Sequence, residues 1–249
     1  MTSPSEFRGS VVAVDWSGAR AAGAQRNGIW VAIASADGVE SSAGRTRIET
    51  IKVIEQLPAP VYVGFDFSFG FPAWFSHEHG CATIDDVWSL AAAEGETWLA
   101  PTPPFWRDRC DVPPERRFRR CEEELRAAGA AAKSIFQLVG NGQVGAGSVR
   151  GMPLLAHLRA QGFAIWPFDQ AGERTAFEIY PSLLRRGMLG ADRAYASPHE
   201  RDAAESARVM WERRESFPTL RAATDPVTRL EGEVWMGEPI PQPLAEPRS

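Results

Sequence analysis

The stretch Val11-Val-Ala-Val-Asp15-Trp-Ser17-Gly18-Ala-Arg20 decides how the rest of the chain is read. Four small apolar residues, three of them β-branched, run straight into a carboxylate and then a Gly turn. β-Branched residues suit a pleated strand. A strand that is apolar at every position is covered on both faces, as in the parallel sheets of α/β proteins. Its polar end then lies at the carboxyl edge of the sheet, where such folds bind ligands. The same residues fit a plain turn in which Asp15 bonds its own backbone, and the stretch taken alone divides evenly between the two.

A second stretch repeats the design. Val61-Tyr-Val-Gly-Phe-Asp66-Phe-Ser68-Phe-Gly-Phe-Pro72 is again an apolar run that ends on Asp, with Ser and Gly following. Two such strands side by side bring both carboxylates to one edge. Like charges that close are unfavourable unless a cation sits between them.

Between these stretches, Gly28–Ser35 reads as a strand, Asp37-Gly38 as a hairpin turn, and Val39 to about Arg47 as a weakly marked third strand. Arg20 to Asn27 reads as a Gly/Ala-rich turn. Ile48, Ile51, Val53, Ile54 and Leu57 recur at near-helical spacing, and Pro58 and Pro60 stop that helix.

Beyond residue 73 the pattern loosens. Asp85–Ala93 reads as helical, Pro101–Pro114 as irregular, and Pro114–Ala132 as an Arg/Glu/Ala helix. The region of about 73–150 looks like an insertion over a cleft. Gly140–Ser148 resembles a phosphate-cradling loop in composition only, since G-x-x-x-x-G-K-[ST] is absent. It reads as a loop near the site, with Arg150 able to meet an anion. A short helix over Gly151–Ala160 follows.

Phe163–Phe168 and Thr175–Pro181 read as strands. In the second, alternation sets Phe177 and Ile179 on one face and Glu178 on the other. A mid-strand Glu is costly unless paired or metal-bound, although an edge strand with Glu178 in solvent also fits. Ser197-Pro198-His199-Glu200 is a helix start with Ser as N-cap and Pro at the first helical position. Ala203, Ala207, Met210 and Trp211 form its apolar stripe. Asp202 borders that stripe, three residues from His199 and on the same side. A first-turn Asp that only favours the helix dipole also explains that position.

Composition narrows the classes. The chain has 249 residues and a net charge of −5. Lys52 and Lys133 are the only lysines, leaving 25 arginines among 27 basic residues. General attraction to nucleic acid is therefore not expected, and any such binding needs a local patch. One candidate is Arg107–Arg120 with Trp106 and Phe118 interleaved, although Glu122, Glu123 and Glu124 favour a solvated helix face instead. Cys81, Cys110 and Cys121 are an odd, sparse set, consistent with reduced thiols. His77, His79 and Cys81 form H-x-H-x-C, but the paired C-x-x-C knuckles of structural zinc sites are missing. No apolar run approaches the ~20 residues of a membrane span, and the polar N-terminus lacks a signal-peptide core. The cytoplasm is the expected location.

Asp15, Asp66, Glu178 and Asp202 now share a description, as acids at strand ends, within a strand or at a helix start. The order strand, strand, strand, helix, strand, helical region, strand, helix looks like the ribonuclease H fold. The DWSGAR segment, the Asp66 strand ending in Gly-Phe-Pro72, Glu178-Ile-Tyr-Pro-Ser182, and His199 to Asp202 with Ala203 resemble the DUF429 family. That family is described as predicted nucleases of ribonuclease H-like fold. Phe67-Ser68 intervenes where such proteins have a small residue and Pro, and Phe163–Asp169 looks additional.

The resemblance implies one domain over residues 1–249: an α/β ribonuclease H-like mixed sheet flanked by helices, with a core of about 10–215. A helical insertion follows the fourth strand, and an extended tail covers about 231–249. The chemistry agrees. Phosphodiester hydrolysis needs an activated water and stabilisation of the leaving oxygen, which two ions held by clustered carboxylates supply. Oxygen ligands suit Mg²⁺ or Mn²⁺. In this scheme Asp15 bridges the ions and Asp66, Glu178 and Asp202 complete their shells. Ser17, Arg20, Ser68 and Arg150 meet phosphate oxygens of a nucleic acid or nucleotide-like substrate, and His199 shuttles protons. Two other readings stay open: phosphoryl transfer of the actin or sugar-kinase type, and a non-catalytic nucleic-acid or protein binding module on the same fold.

Overall fold

A computed structural model describes residue 7 and residues 9–100, 102–107, 110–139, 144–185 and 194–237. In chain order the elements are β1 (Ser10–Asp15), α1 (Ala22–Gly28), β2 (Trp30–Ser35), β3 (Gly38–Ser42), α2 (Arg47–Gln56), β4 (Val61–Phe65), α3 (Ala73–Glu78) and α4 (Ile84–Trp98). There follow α5 (Arg120–Ala127), α6 (Gly145–Ala160), β5 (Ala164–Ile165), β6 (Arg174–Ile179), α7 (Pro181–Leu184), α8 (Pro198–Glu212), α9 (Thr228–Glu231) and β7 (Val234–Trp235).

Among the described residues, seven strands form one mixed sheet in the order β3-β2-β1-β4-β6-β5, with β7 also on β6. The antiparallel β1–β2–β3 meander joins parallel β4 and β6. The protein is therefore an α/β fold whose mixed sheet is flanked by helices, in keeping with a ribonuclease H-like arrangement.

Alternation along the central strands divides the core. Val12, Val14, Val63, Phe65 and Ala176 face α4 and α6. Val11, Ala13, Tyr62, Phe177 and Ile179 face α8. Burying one such side chain contributes roughly 1.5–3 kcal/mol, so slipping β1 by one residue would exchange its two faces throughout. α8 sits close because its facing residues are small: Ala203, Ala204 and Ala207 are all buried. Gly64 helps, because a Cβ there would lie 2.7 Å from Ile179 and 2.8 Å from Met210.

Several local expectations are corrected. The turn expected at Arg20–Asn27 is largely the helix α1, begun at Ala22. β3 is shorter than expected and ends at Ser42. The helix expected over Pro114–Ala132 is a 3-10 turn at Pro114–Arg116 followed by α5, because no single apolar stripe runs through both. Gly145–Ser148 is the first turn of α6, not a loop, and Gly140–Gln143 lie outside the described residues. Only Ala164 and Ile165 of the Phe163–Phe168 segment are strand. β6 is interior, flanked by β4 on one side and by β5 and β7 on the other, so Glu178 is not an edge residue in solvent. Among the described residues no helix is long and apolar enough to cross a membrane.

Candidate functional site

Register brings the two strand-end acids together. Val14 pairs with Phe65 in the parallel β1–β4 ladder, and Asp66 N–H donates to the Val14 carbonyl at 3.1 Å. Asp15 and Asp66 are therefore the next residues on neighbouring strands, whose spacing is about 4.8 Å. Val14 and Phe65 face α4 and α6, so alternation turns the next residues, Asp15 and Asp66, to the α8 side. Asp15 is buried and Asp66 half-buried.

α8 supplies the other half of the cluster. Ser197 caps it by accepting from Glu200 N–H, as the sequence reading expects. This start points His199 and Asp202 back at the strand ends. His199 Nδ1 lies 2.6 Å from Asp15 Oδ2. Asp202 is paired with Arg185, which directly follows α7.

The charges on this cluster are unbalanced. Asp66 is held well above the usual carboxylate range, first by burial and then by the nearby charges of Asp15, Asp202 and Glu178, with Arg185 opposing. Asp15 is also raised, chiefly by burial, despite the His199 hydrogen bond. His199 is raised in turn, chiefly by its bond to Asp15. Among the described residues nothing donates a hydrogen bond to the Asp66 carboxylate.

Glu178 is placed differently. It pairs with Phe65 in the β4–β6 ladder and so points to the α4/α6 side of the sheet, away from Asp15. There Arg119, fully buried, meets both of its carboxylate oxygens, with Nη1 2.8 Å from Oε2. The same oxygen accepts from Phe69 N–H at 3.0 Å. Arg119 also donates from Nε to Glu122 at 2.9 Å and from Nη1 to the Glu231 carbonyl at 3.0 Å. Glu178 thus anchors the segment that follows Asp66 and ties in α5 and α9. The four acids expected to converge do so as three plus one. Among the described residues no three His, Cys, Asp or Glu side chains stand at metal-holding geometry.

The other expected groups divide as well. Ser17 Oγ accepts from Ala19 N–H at 3.2 Å and stays near the surface, and Arg20 is exposed. Ser68 is buried, its Oγ donating to Glu122 at 3.4 Å, because it shares the side of Glu178. Arg150 is engaged by Glu96 and by the Gly18 carbonyl, which makes it a brace for the Asp15 turn. Arg47, unnoticed in the sequence, donates to the Ser17 and Ala19 carbonyls at 2.8 and 2.7 Å in the same role. Arg109 lies outside the described residues, and the described arginines of 107–120 are engaged by the protein itself: Arg116 stacks over Trp74, Arg117 donates to the Val112 carbonyl, and Arg120 meets Asp225. His79 Nδ1 lies 2.8 Å from the Phe75 carbonyl, and Cys81 is buried.

Arg185 and Arg119 are the other two functional residues the sequence reading missed. Arg185 had one available signal, its position a single short helix beyond Glu178-Ile-Tyr-Pro181. Arg119 had none, because it sits within a run of surface-like charges.

Residues 7–231 match the family described as "Protein of unknown function (DUF429)". The chain belongs to the DUF429 family. The match covers both strand-end acids, Glu178 and the α8 start, so the site described above lies wholly within the DUF429 region. No curated protein and no solved structure matches the chain.

Proposed function

We propose that this DUF429 protein is a divalent-metal-dependent phosphodiester hydrolase acting on nucleic acid or a nucleotide-like substrate. One observation carries the reading: Asp15 and Asp66 stand side by side at the carboxyl ends of β1 and β4, with Asp202 and His199 brought to them by α8. The carboxylate oxygens of Asp15, Asp66 and Asp202 are the ligand chemistry that Mg²⁺ or Mn²⁺ takes. Burial first, and then the charges of Asp15, Asp202 and Glu178, disfavour the ionised form of Asp66, which a divalent cation would favour. Bound divalent ions would supply an activated water and polarise the phosphodiester.

The remaining roles belong to the chain. Asp15 and Asp66 would hold the ions, with Asp202 joining them. Glu178 acts as a positioning residue in this scheme, since it fixes Phe69 and so the segment after Asp66. His199, held at Nδ1 by Asp15 and favouring its protonated form, keeps Nε2 to donate a proton to the leaving oxygen. Ser17 and Arg20 remain the candidates for phosphate oxygens at the rim.

The test is hydrolysis of bis-p-nitrophenyl phosphate and of short DNA and RNA, with and without Mn²⁺, by wild type and Asp15→Asn. The expected result is metal-dependent turnover that falls more than about a hundredfold in the variant. Turnover that ignores Mn²⁺, or survives in Asp15→Asn, would sink the proposal. A second reading, a non-catalytic binding module, draws on the pairing of Asp202 with Arg185 and of Glu178 with Arg119, which neutralises two of the four acids. Metal-independent nucleic-acid binding that persists in Asp15→Asn would select it.

A further inference from the structure

Arg185 stands where a cation is called for. Its guanidinium pairs with Asp202, and its charge also acts on both Asp15 and Asp66. It follows a four-residue helix directly after β6, so the sheet delivers it to the same edge as the acids. Neither member of the pair is locked in: the Arg185 and Asp202 side chains are 23% and 27% exposed. Arg119 differs, being fully buried against Glu178 and Glu122. The two arginines therefore neutralise acids in different ways. Arg119 is built into the core, while Arg185 lies at a surface where water and ions reach it.

We propose that Arg185 is an exchangeable counter-cation: a divalent ion replaces it on Asp202, and the released guanidinium then binds the anionic group of the substrate. The proposal rests on the metal reading above. The physical logic is competition followed by reuse. A carboxylate cannot give its full charge to a guanidinium and to a metal ion together, so the two cations compete for Asp202. A guanidinium freed beside bound metal presents a planar fork of donors, which suits a phosphate bidentately. Metal and phosphate binding become linked, since metal is what frees the phosphate donor.

The test uses the full chain. Calorimetric titration with MnCl₂ is expected to show roughly tenfold tighter binding in Arg185→Gln than in wild type, because a competing positive charge is gone. Titration with inorganic phosphate in saturating Mg²⁺ is expected to show roughly tenfold weaker binding in the same variant. Structural damage would weaken both, so the opposite signs are diagnostic. If wild type binds Mn²⁺ and Arg185→Gln binds it no tighter, or phosphate affinity is unchanged, the exchange is refuted and the metal site stands. If neither protein binds Mn²⁺, the metal site falls and the exchange falls with it. Wild type alone gives a further check should the variant not fold. The Arg185 Nε–H resonance should move on Mg²⁺ saturation, and a resonance that stays in place refutes the exchange.

Discussion

His199 and Asp15, 184 positions apart, share a 2.6 Å contact between Nδ1 and Oδ2. That one contact joins the first strand to the last long helix and fixes the imidazole at the sheet edge. It also ties the protonation of the two groups together.

Asp15→Asn should lower the His199 pKa, because the hydrogen bond that the imidazole donates to Asp15 is the largest cause of its rise. A His whose folded value is raised contributes stability that is full below the unfolded value of about 6.5. That contribution is lost as pH rises through the folded value. The His199 C2–H chemical shift followed against pH reads this directly. A midpoint unmoved by Asp15→Asn would show that Asp15 does not control the imidazole.

Asp66→Asn should stabilise the metal-free protein at neutral pH, since the carboxylate is desolvated among like charges. Its folded pKa lies above the unfolded one, so the folded state holds the proton more tightly. Wild type then loses stability as pH rises from the unfolded value, about 3.9, through the folded one, and the variant does not. Mg²⁺ should raise the melting temperature of wild type by mass action and leave that of Asp66→Asn nearly unchanged. Thermal melts across pH, with and without Mg²⁺, decide it. A destabilised variant would contradict the reading of Asp66 as an unpaired acid.

Arg119→Ala should be among the most damaging single changes, costing about 3–5 kcal/mol, because it strands Glu178 and Glu122 in the interior. Glu178→Gln should cost less, about 1–3 kcal/mol, and leave Mn²⁺ affinity within about threefold of wild type. Denaturant melts and Mn²⁺ titration separate the two effects. A tenfold or greater loss of Mn²⁺ affinity in Glu178→Gln would return this residue to the metal shell.

Gly18 and Gly147 offer a matched pair. A Cβ on Gly18 would lie 2.6 Å from Gly147 N and 2.8 Å from the Ala146 carbonyl carbon, so backbone meets backbone. Trp16 Nε1 donates to the Gly147 carbonyl at 3.2 Å across this junction. Gly18→Ala should therefore cost about 1–3 kcal/mol and disturb the Asp15 turn. Gly147→Ala adds a Cβ only at ordinary contact, 3.5 Å from Trp16, within α6. It should be neutral or stabilising by up to about 1 kcal/mol. Equal melting temperatures for the two variants would refute the close approach.

Much of the frame is legible in the chain itself. The apolar runs of β1 and β4 and the capped start of α8 depend on neighbouring residues and on period, and both properties are local. Asp15 and Asp66 are readable as partners because each ends the same kind of run, and parallel pairing then sets them side by side. Apart from α4, the region from Ala73 to Gly145 is less legible, since its described short helices and loops pack around aromatic residues such as Phe71, Phe75, Phe105 and Phe136.

The sequence by itself determined which acids sit at strand ends and that a helix opens with His199 and Asp202, because alternation, capping and strand termination are written within a few residues. Only the tertiary structure decided how those acids are divided. Glu178 shares the side of Phe65 and meets Arg119, while Asp15 and Asp66 face α8, where His199 bonds Asp15 and Arg185 pairs with Asp202. That division depends on which strand pairs with which, and on arginines brought in from distant segments. Charge pairing across a sheet follows distance in space, which no local pattern encodes.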